Sequence, residues 1–355
     1  MQTDTPQALL STAVLPPSAF GATGAPVRAP GWPAPILRPG APAPRWWLAV
    51  DGGGTHTRLR LAEAGGRVRA EGQAGPSALG QGAAAAWGAM EAALASAAAQ
   101  AGLPPPAWAD CALAAGLSGA GVAGWAQAFR EADPGCAALL LASDGEAALQ
   151  AAFAGGPGVL LIAGTGSVCE VRRADGQRAT VGGWGWRCGD EGSGAWLGRQ
   201  ALAHAQRAVD GRAVCGALAR AVLAAVQAAV PCQAGGAGAV GDAASPAAAL
   251  QAYGDRARQG DLAALAPWVT QAAAQGDPAA EALLAQAARE LEALVQAADP
   301  SGRLPVVLAG SVARHLQPRL HSDTRARCQP ALADAPAGAL QWLRAAFPTS
   351  SPKLP

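Results

Sequence analysis

The chain has 355 residues, with 26 Lys and Arg against 25 Asp and Glu, a formal net charge of +1 at pH 7 and no long run of either sign. That length suits two compact domains and a tail, and the even charge leaves no steering patch for nucleic acid. The only lysine is Lys353, close to the C-terminus, which excludes a Walker-A loop, a protein-kinase fold and a lysine Schiff base; any ATP must be held mainly by backbone amides and hydroxyls.

The cysteines Cys111, Cys136, Cys169, Cys188, Cys215, Cys232 and Cys328 form no C-x-x-C pair and sit in apolar or Ala-rich surroundings. A reduced, cytoplasmic setting is the expectation. The histidines His56, His204, His315 and His321 do not join them at metal-ligand spacing, which argues against structural zinc.

In chain order, residues 1–45 are rich in Pro, Ala and Gly with no sustained period, so they are set outside the fold as a disordered extension. No basic region precedes ALLSTAVL and prolines interrupt it, unlike a signal peptide; a start codon placed too early is the other reading. No later apolar run reaches transmembrane length without Gly, Pro or charge, so no membrane association is expected. Residues 46–50 read as a buried strand leading into Asp51-Gly52-Gly53-Gly54-Thr55-His56-Thr57, and residues 58–61 as its returning partner in a hairpin. Residues 83–101 predict a helix with Met90 and Leu94 on one face. Strand 111–115 then runs into Gly116-Leu117-Ser118-Gly119, helix 124–132 follows, strand 137–142 runs into Ser143-Asp144, and helix 146–153 follows.

After Gly155 the pattern restarts with strand 159–163, the turn Gly164-Thr165-Gly166-Ser167, and strands 169–173 and 178–182. Two similar domains facing one another follow from this repeat, over residues 46–154 and 155–347, with a ligand cleft between them and a tail at 348–355. The last helix is allowed to pack back on the first domain. Beyond Gly194 the chain reads as Ala-rich helices at 195–208, 213–230, 262–275 and 278–298, a mobile Gly/Ala loop at 233–245, and a final strand 306–308 before Ala309-Gly310-Ser311.

The glycines after Asp51 let backbone approach an anion with several N–H groups exposed, and the turn at Gly164 repeats that arrangement with two hydroxyls. The second turn is not a dinucleotide fingerprint, because Cys169 stands where a third glycine belongs and a strand follows. Asp144, at the C-terminal end of an apolar strand, is placed to act as a general base or to cap the helix after it. The loop Gly182-Gly183-Trp184-Gly185-Trp186 with Gly189-Asp190-Glu191-Gly192 combines flexible backbone, large rings and carboxylates, as a sugar site needs. Ser118 lacks the glycine pattern of a nucleophile elbow and is read as a loop residue.

Taken together, DGGGTHT, SDGEAAL, AGTGS, GGWGWRCGDEGSGAWLG, LAGSVA and PAGAL resemble, in order, the BadF/BadG ATPase family, and most closely its N-acetylglucosamine and glucosamine kinases. The resemblance spans residues 46–346. It implies an α/β, duplicated ribonuclease-H-like (actin-like ATPase) fold, with ATP and Mg²⁺ between the domains and phosphoryl transfer to the 6-hydroxyl of an amino sugar. It casts Asp144 as the base and Asp51 as the acid near Mg²⁺, through water. It puts Gly53, Gly54, Thr55, Thr165, Gly166 and Ser167 on the phosphates, Gly310 and Ser311 by the nucleoside, and Ser77, Gly183, Trp184 and Asp190 on the sugar. Ala78 and Val168 stand where the N-acetylglucosamine kinases resemble one another in having Asn, which tilts the expectation toward glucosamine. A homodimer is left open. The alternatives are an ATPase activator of a radical acyl-CoA dehydratase, which needs a cysteine motif for an iron–sulfur cluster, and a non-catalytic sugar sensor, which usually carries an added DNA-binding module.

Overall fold

The computed structural model describes residues 35–229 and 245–347. The first sheet gathers β1 (Ile36–Leu37), β2 (Trp46–Gly52), β3 (Thr57–Glu63), β4 (Val68–Ala74), β5 (Cys111–Leu117) and β6 (Ala138–Ala142), with α1 (Ala83–Gln100) after β4, α2 (Ala123–Glu131) after β5 and α3 (Asp144–Phe153) after β6. The second holds β7 (Gly158–Ala163), β8 (Ser167–Arg172), β9 (Arg178–Gly182) and β10 (Val306–Ala309). Between β9 and β10 run α4 (Gly194–Val209), α5 (Ala217–Ala229), α6 (Pro246–Arg256), α7 (Gln259–Ala263), α8 (Ala266–Ala274) and α9 (Pro278–Ala298). The chain closes with α10 (Ser311–Leu316), α11 (Ser322–Arg327) and α12 (Ala335–Ala346).

The strand orders are β1-β6-β5-β2-β3-β4 and β10-β7-β8-β9. In each sheet three strands meander antiparallel, and the first of them also pairs parallel with a later strand, β5 beside β2 and β10 beside β7. The repeat anticipated from the sequence is thus a repeat of topology, the duplicated ribonuclease-H-like arrangement.

Side-chain alternation on β2 explains how the site is built. Leu48 and Val50 point into a core with Leu59, Leu61 and α1, while Trp47 and Ala49 point to the opposite face and pack with Leu340 and Leu343 of α12. Asp51 continues that second face beyond the apolar patch, where α12 no longer covers it. Across the hairpin, Arg58 and Arg60 share the face, since Leu59 and Leu61 are committed to the first core. Helix α3 joins the halves: Leu149, Ala152 and Phe153 pack with Leu160 and Val307 of the second sheet.

The structure departs from the sequence reading in several places. The segment set outside the fold contributes β1, which pairs antiparallel with Leu139 and Ala138 at the sheet edge; residues 1–34 lie outside the described residues. The strand β4, missed because Arg69, Glu71 and Gln73 make it half polar, is the edge that pairs with β3. The helix expected at 262–275 is two helices, because Pro267 lacks an N–H and is tolerated only in a first turn, which it occupies in α8. Most of the loop expected at 233–245 lies outside the described residues. Among the described residues no helix is long and apolar enough to cross a membrane.

Candidate functional site

The β2–β3 turn is held from below. The Gly53 amide donates to the His56 carbonyl at 3.0 Å, and the Gly53 carbonyl accepts from the amides of Ser77 and Ala78 at 3.0 and 3.1 Å. The Thr57 hydroxyl donates to the Gly75 carbonyl at 2.6 Å and lies 2.8 Å from the Ser77 hydroxyl. Gly53 and Gly54 have ordinary backbone angles, and a Cβ at either would meet nothing within 4 Å; the same holds for Gly164 in the second hairpin. The fold itself therefore does not demand glycine at these positions. The open space beside their backbone is what a phosphate cradle requires, so these residues fit a nucleotide.

Asp144 begins α3, behind a reciprocal cap in which Ser143 Oγ accepts from the Glu146 amide and Glu146 accepts from the Ser143 amide. That cap is made without Asp144, whose Oδ1 accepts from the amide of its neighbour Gly145 at 3.0 Å. Burial pushes its carboxyl above the usual carboxylate range and the charge of Asp51 adds to this, while the Gly145 amide and the Ser118 hydroxyl pull the other way. A partly buried carboxylate with raised proton affinity at a strand end is suited to accept a proton.

Asp51 and Asp144 line one cavity of about 430 Å³ between the sheets, closed on the other side by Ile162, Val307, Ala309 and Arg314 of the second domain. Arg58 donates to Asp51 Oδ2 through Nη2 at 2.7 Å and Nε at 3.3 Å. No group of three or more His, Cys, Asp or Glu side chains poised for a metal exists among the described residues. A hard cation held by one carboxylate, waters and substrate phosphates needs no such group, so Asp51 fits Mg²⁺ in that form.

On the other side of β7 a second cavity, about 350 Å³, lies against Gly164, Thr165 and Ser311 and is walled by Leu197, Pro267 and Leu316, with Thr270 and His315 as polar groups. An apolar slot with few polar groups suits a nucleobase. Gly310 belongs to its frame: its φ is +89°, and a Cβ there would lie 2.2 Å from the Ala163 carbonyl oxygen, so only glycine lets β10 turn into α10 so close to the Gly164–Ser167 turn.

Asp190 is buried at 5% exposure and sits at φ +55°, rare for a non-glycine. Its carboxylate accepts from the Gly185 amide at 3.2 Å and from Gln259 Nε2 at 3.0 Å. Burial raises its proton affinity, while the amides of Gly185 and Ser167 lower it. The same carboxylate fills the space beside Gly166, where a Cβ would stand 2.7 Å from Oδ2. Asp190 thus ties the Trp184 loop to the Gly164–Ser167 turn, and Trp184 projects beyond it with 80% of its surface exposed.

The structure brings Asp51 and Asp144 to one cavity wall and Thr165 and Ser311 to the second pocket, while Gly53 and Gly54 lie in the turn that follows Asp51 and Gly310 immediately precedes Ser311. Three expected ligand contacts face inward instead: Asp190, turned toward Gly166 and Gln259, and two serines. Ser77 is 1% exposed and meets Thr57, and Ser167, 4% exposed, donates to the Glu191 carbonyl at 2.7 Å. Thr55 is exposed, and its hydroxyl lies 2.9 Å from His56 Nδ1. Sequence reasoning missed Arg58 and Ser118. Hairpin register would have found Arg58, paired opposite Asp51, and parallel pairing of β5 with β6 would have brought the end of β5 beside Asp144.

Two sheets with the same antiparallel meander, each extended by a parallel strand beside its first member, define a duplicated ribonuclease-H-like fold. The chain belongs to the BadF/BadG/BcrA/BcrD ATPase family, which it matches over residues 48–322. It is 27% identical over 298 residues to the glucosamine kinase GspK of Vibrio cholerae, covering 84% of this chain and 95% of that one. A segment of 74 residues, 21% of this chain and 24% of the relative, is 39% identical to the N-acetylmuramic acid/N-acetylglucosamine kinase of Clostridium acetobutylicum. Among solved structures, a candidate N-acetylglucosamine kinase from Chromobacterium violaceum superposes with a TM-score of 0.75 at 40% identity, covering 85% of this chain and 100% of that one.

Proposed function

We propose that this chain is an ATP-dependent amino-sugar kinase, with glucosamine preferred over N-acetylglucosamine and the 6-hydroxyl as acceptor. The observation that carries the reading is the position of Asp144: partly buried, not needed for the helix cap, and lining the same cavity as Asp51. The kinases named among its relatives support the sugar-kinase class.

In this reading the Asp144 carboxylate accepts the acceptor hydroxyl's proton as that oxygen bonds to the γ-phosphorus of ATP and the bond to ADP breaks. Amides of the two glycine turns receive the phosphates, and the Leu197–Pro267 pocket receives the base. Mg²⁺, when bound near Asp51, supplies charge neutralisation for the phosphates. Trp184 and Asp190 lie on the loop that would cover the sugar, with Asp190 setting the loop's position against Gly166. The free cysteines among the described residues suit the reduced cytoplasm in which such a kinase would meet ATP.

The test is Asp144→Asn, which keeps the shape and the acceptor for Gly145 but cannot take a proton. Turnover falls by about 10²- to 10⁴-fold while equilibrium affinity for glucosamine stays close to that of the parent. Near-full turnover in this variant would reduce Asp144 to a structural residue and remove the reading.

A further inference from the structure

The phosphate chemistry proposed for this cleft has to proceed without a lysine, since the only one is Lys353, outside the described residues. The cationic side chains lining the larger cavity are Arg58 and Arg314. Hairpin register sets Arg58 directly opposite Asp51, and both of its contacts, from Nη2 and Nε, fall on Oδ2. Its other terminal nitrogen, Nη1, lies 3.6 Å from Asp334, the residue that caps α12 through the Ala337 amide. Arg60 is differently placed: it makes two bonds to Asp334 at 2.7 and 2.8 Å and a third to Glu71 at 2.6 Å.

We propose that Arg58 is the phosphate-binding cation of the first domain, held by Asp51 and released to the nucleotide's phosphates when a divalent cation takes over the Asp51 carboxylate. The proposal rests on the kinase reading and adds a residue and a sequence of partners to it. One carboxylate oxygen cannot give its full charge to a guanidinium and to a hard cation's water shell together, so engagement of Asp51 with the cation frees the fork of Arg58. A triphosphate brings several negative charges to a wall that already carries Asp51, Asp144 and Asp334, and a guanidinium suits phosphate geometry with two parallel donors. Arg58 stands at the root of the Gly53-Gly54 turn, with 38% of its side chain exposed, so a short swing within the cavity reaches any phosphate seated on that turn. Arg60, bound on both sides, is not available for this, and Asp334 keeps a second carboxylate beside Arg58 throughout.

The experiment is a titration of ADP, in EDTA and in Mg²⁺, into the parent, Asp51→Asn, Arg58→Met, Arg58→Lys and the Asp51→Asn/Arg58→Met pair. Asp51→Asn frees Arg58 without any metal, so it tightens ADP binding in EDTA several-fold, and it loses most of the gain that Mg²⁺ gives the parent. Arg58→Met weakens ADP binding in Mg²⁺ by about 10- to 100-fold, the equivalent of one charge-assisted contact. In the double variant the gain in EDTA disappears, and Arg58→Lys, a point charge without the fork, recovers part of the affinity. If Arg58→Met bound ADP with Mg²⁺ as tightly as the parent or more tightly, Arg58 would be a mere counter-ion of Asp51 and the proposal would fall. It would fall equally if Asp51→Asn gave no gain in EDTA, an outcome that needs no change at Arg58. The kinase reading is tested apart from this by glucosamine-dependent ADP release from the parent: its absence removes that reading, whereas a parent that turns over beside an Arg58→Met variant of unchanged ADP affinity removes only the present one.

Discussion

Two glycine-rich loops, the β2–β3 turn and the loop from β9 to α4, use glycine for different reasons. In the β2–β3 turn, Gly53 and Gly54 have ordinary angles and open space where a Cβ would go. In the loop from β9 to α4, Gly182, Gly183, Gly185 and Gly192 all have φ between +69° and +88°. There, Cβ atoms at Gly182 and Gly192 would press on α9, the first 3.0 Å from Leu294 Cδ2 and the second 2.7 Å from the Ala287 carbonyl oxygen. The first turn is permissive in itself, so its glycines are explained by what must approach it. The second is wound tightly on its own support, so its glycines are explained by the fold; among its other side chains Trp184 is exposed and Asp190 is buried against Gly166. A glycine-rich motif is thus not one signal but two, separable by backbone angle and by what a methyl group would touch.

Substitution separates them. The largest effect is expected from Gly192→Ala, which combines a left-handed angle with a backbone clash and should cost about 2–4 kcal/mol, lowering Tm by roughly 5–10 °C in a thermal melt. An unchanged Tm would show that this loop is not clamped on α9. Gly53→Ala comes next: Tm should stay within about 1–2 °C of the parent, because a methyl group there touches nothing, while on the proposed kinase reading it would enter the space of a phosphate and raise KM for ATP about tenfold without raising KM for the sugar. Equal weakening of both substrates together with a lowered Tm would place that turn in the same class as the other.

The smallest effect is one of stability at Asp144. Because the native carboxyl holds its proton more tightly than the unfolded one, parent stability declines as pH rises from the unfolded-state pKa through the raised native value, and the deficit persists at neutral pH. Asp144→Asn removes that dependence and should melt slightly higher at neutral pH, by about 1 kcal/mol in stability, while matching the parent at a pH below both values. A variant less stable than the parent at neutral pH would contradict the burial of a charged base.

Much of this architecture was legible in the chain because its signals are local. The buried run from Trp46 to Val50, the glycine turns and the alternation of strand with helix fix the order of elements, and Asp144 stands out as a carboxylate at the end of an apolar strand. What escaped depends on pairing across the chain. Edge strands such as β4 carry polar residues on their open face, and Pro267 reads as a helix interior until its position in a first turn is seen. Ser77 and Ser167 look like ligand hydroxyls in sequence, whereas packing turns them toward Thr57 and the Glu191 carbonyl. Arg58 was invisible for the opposite reason: nothing in its own neighbourhood marks it, and only the hairpin register joins it to Asp51.

The most direct measurement of the central claim is ADP release, followed in a coupled assay, from the purified chain with ATP and Mg²⁺ and with glucosamine, N-acetylglucosamine, glucose or no sugar. The account predicts release that depends on sugar, fastest with glucosamine, slower with N-acetylglucosamine, weak with glucose and near background without sugar, and a phosphate on the 6-oxygen of the product by nuclear magnetic resonance. ADP released at one rate whether or not a sugar is present would contradict it.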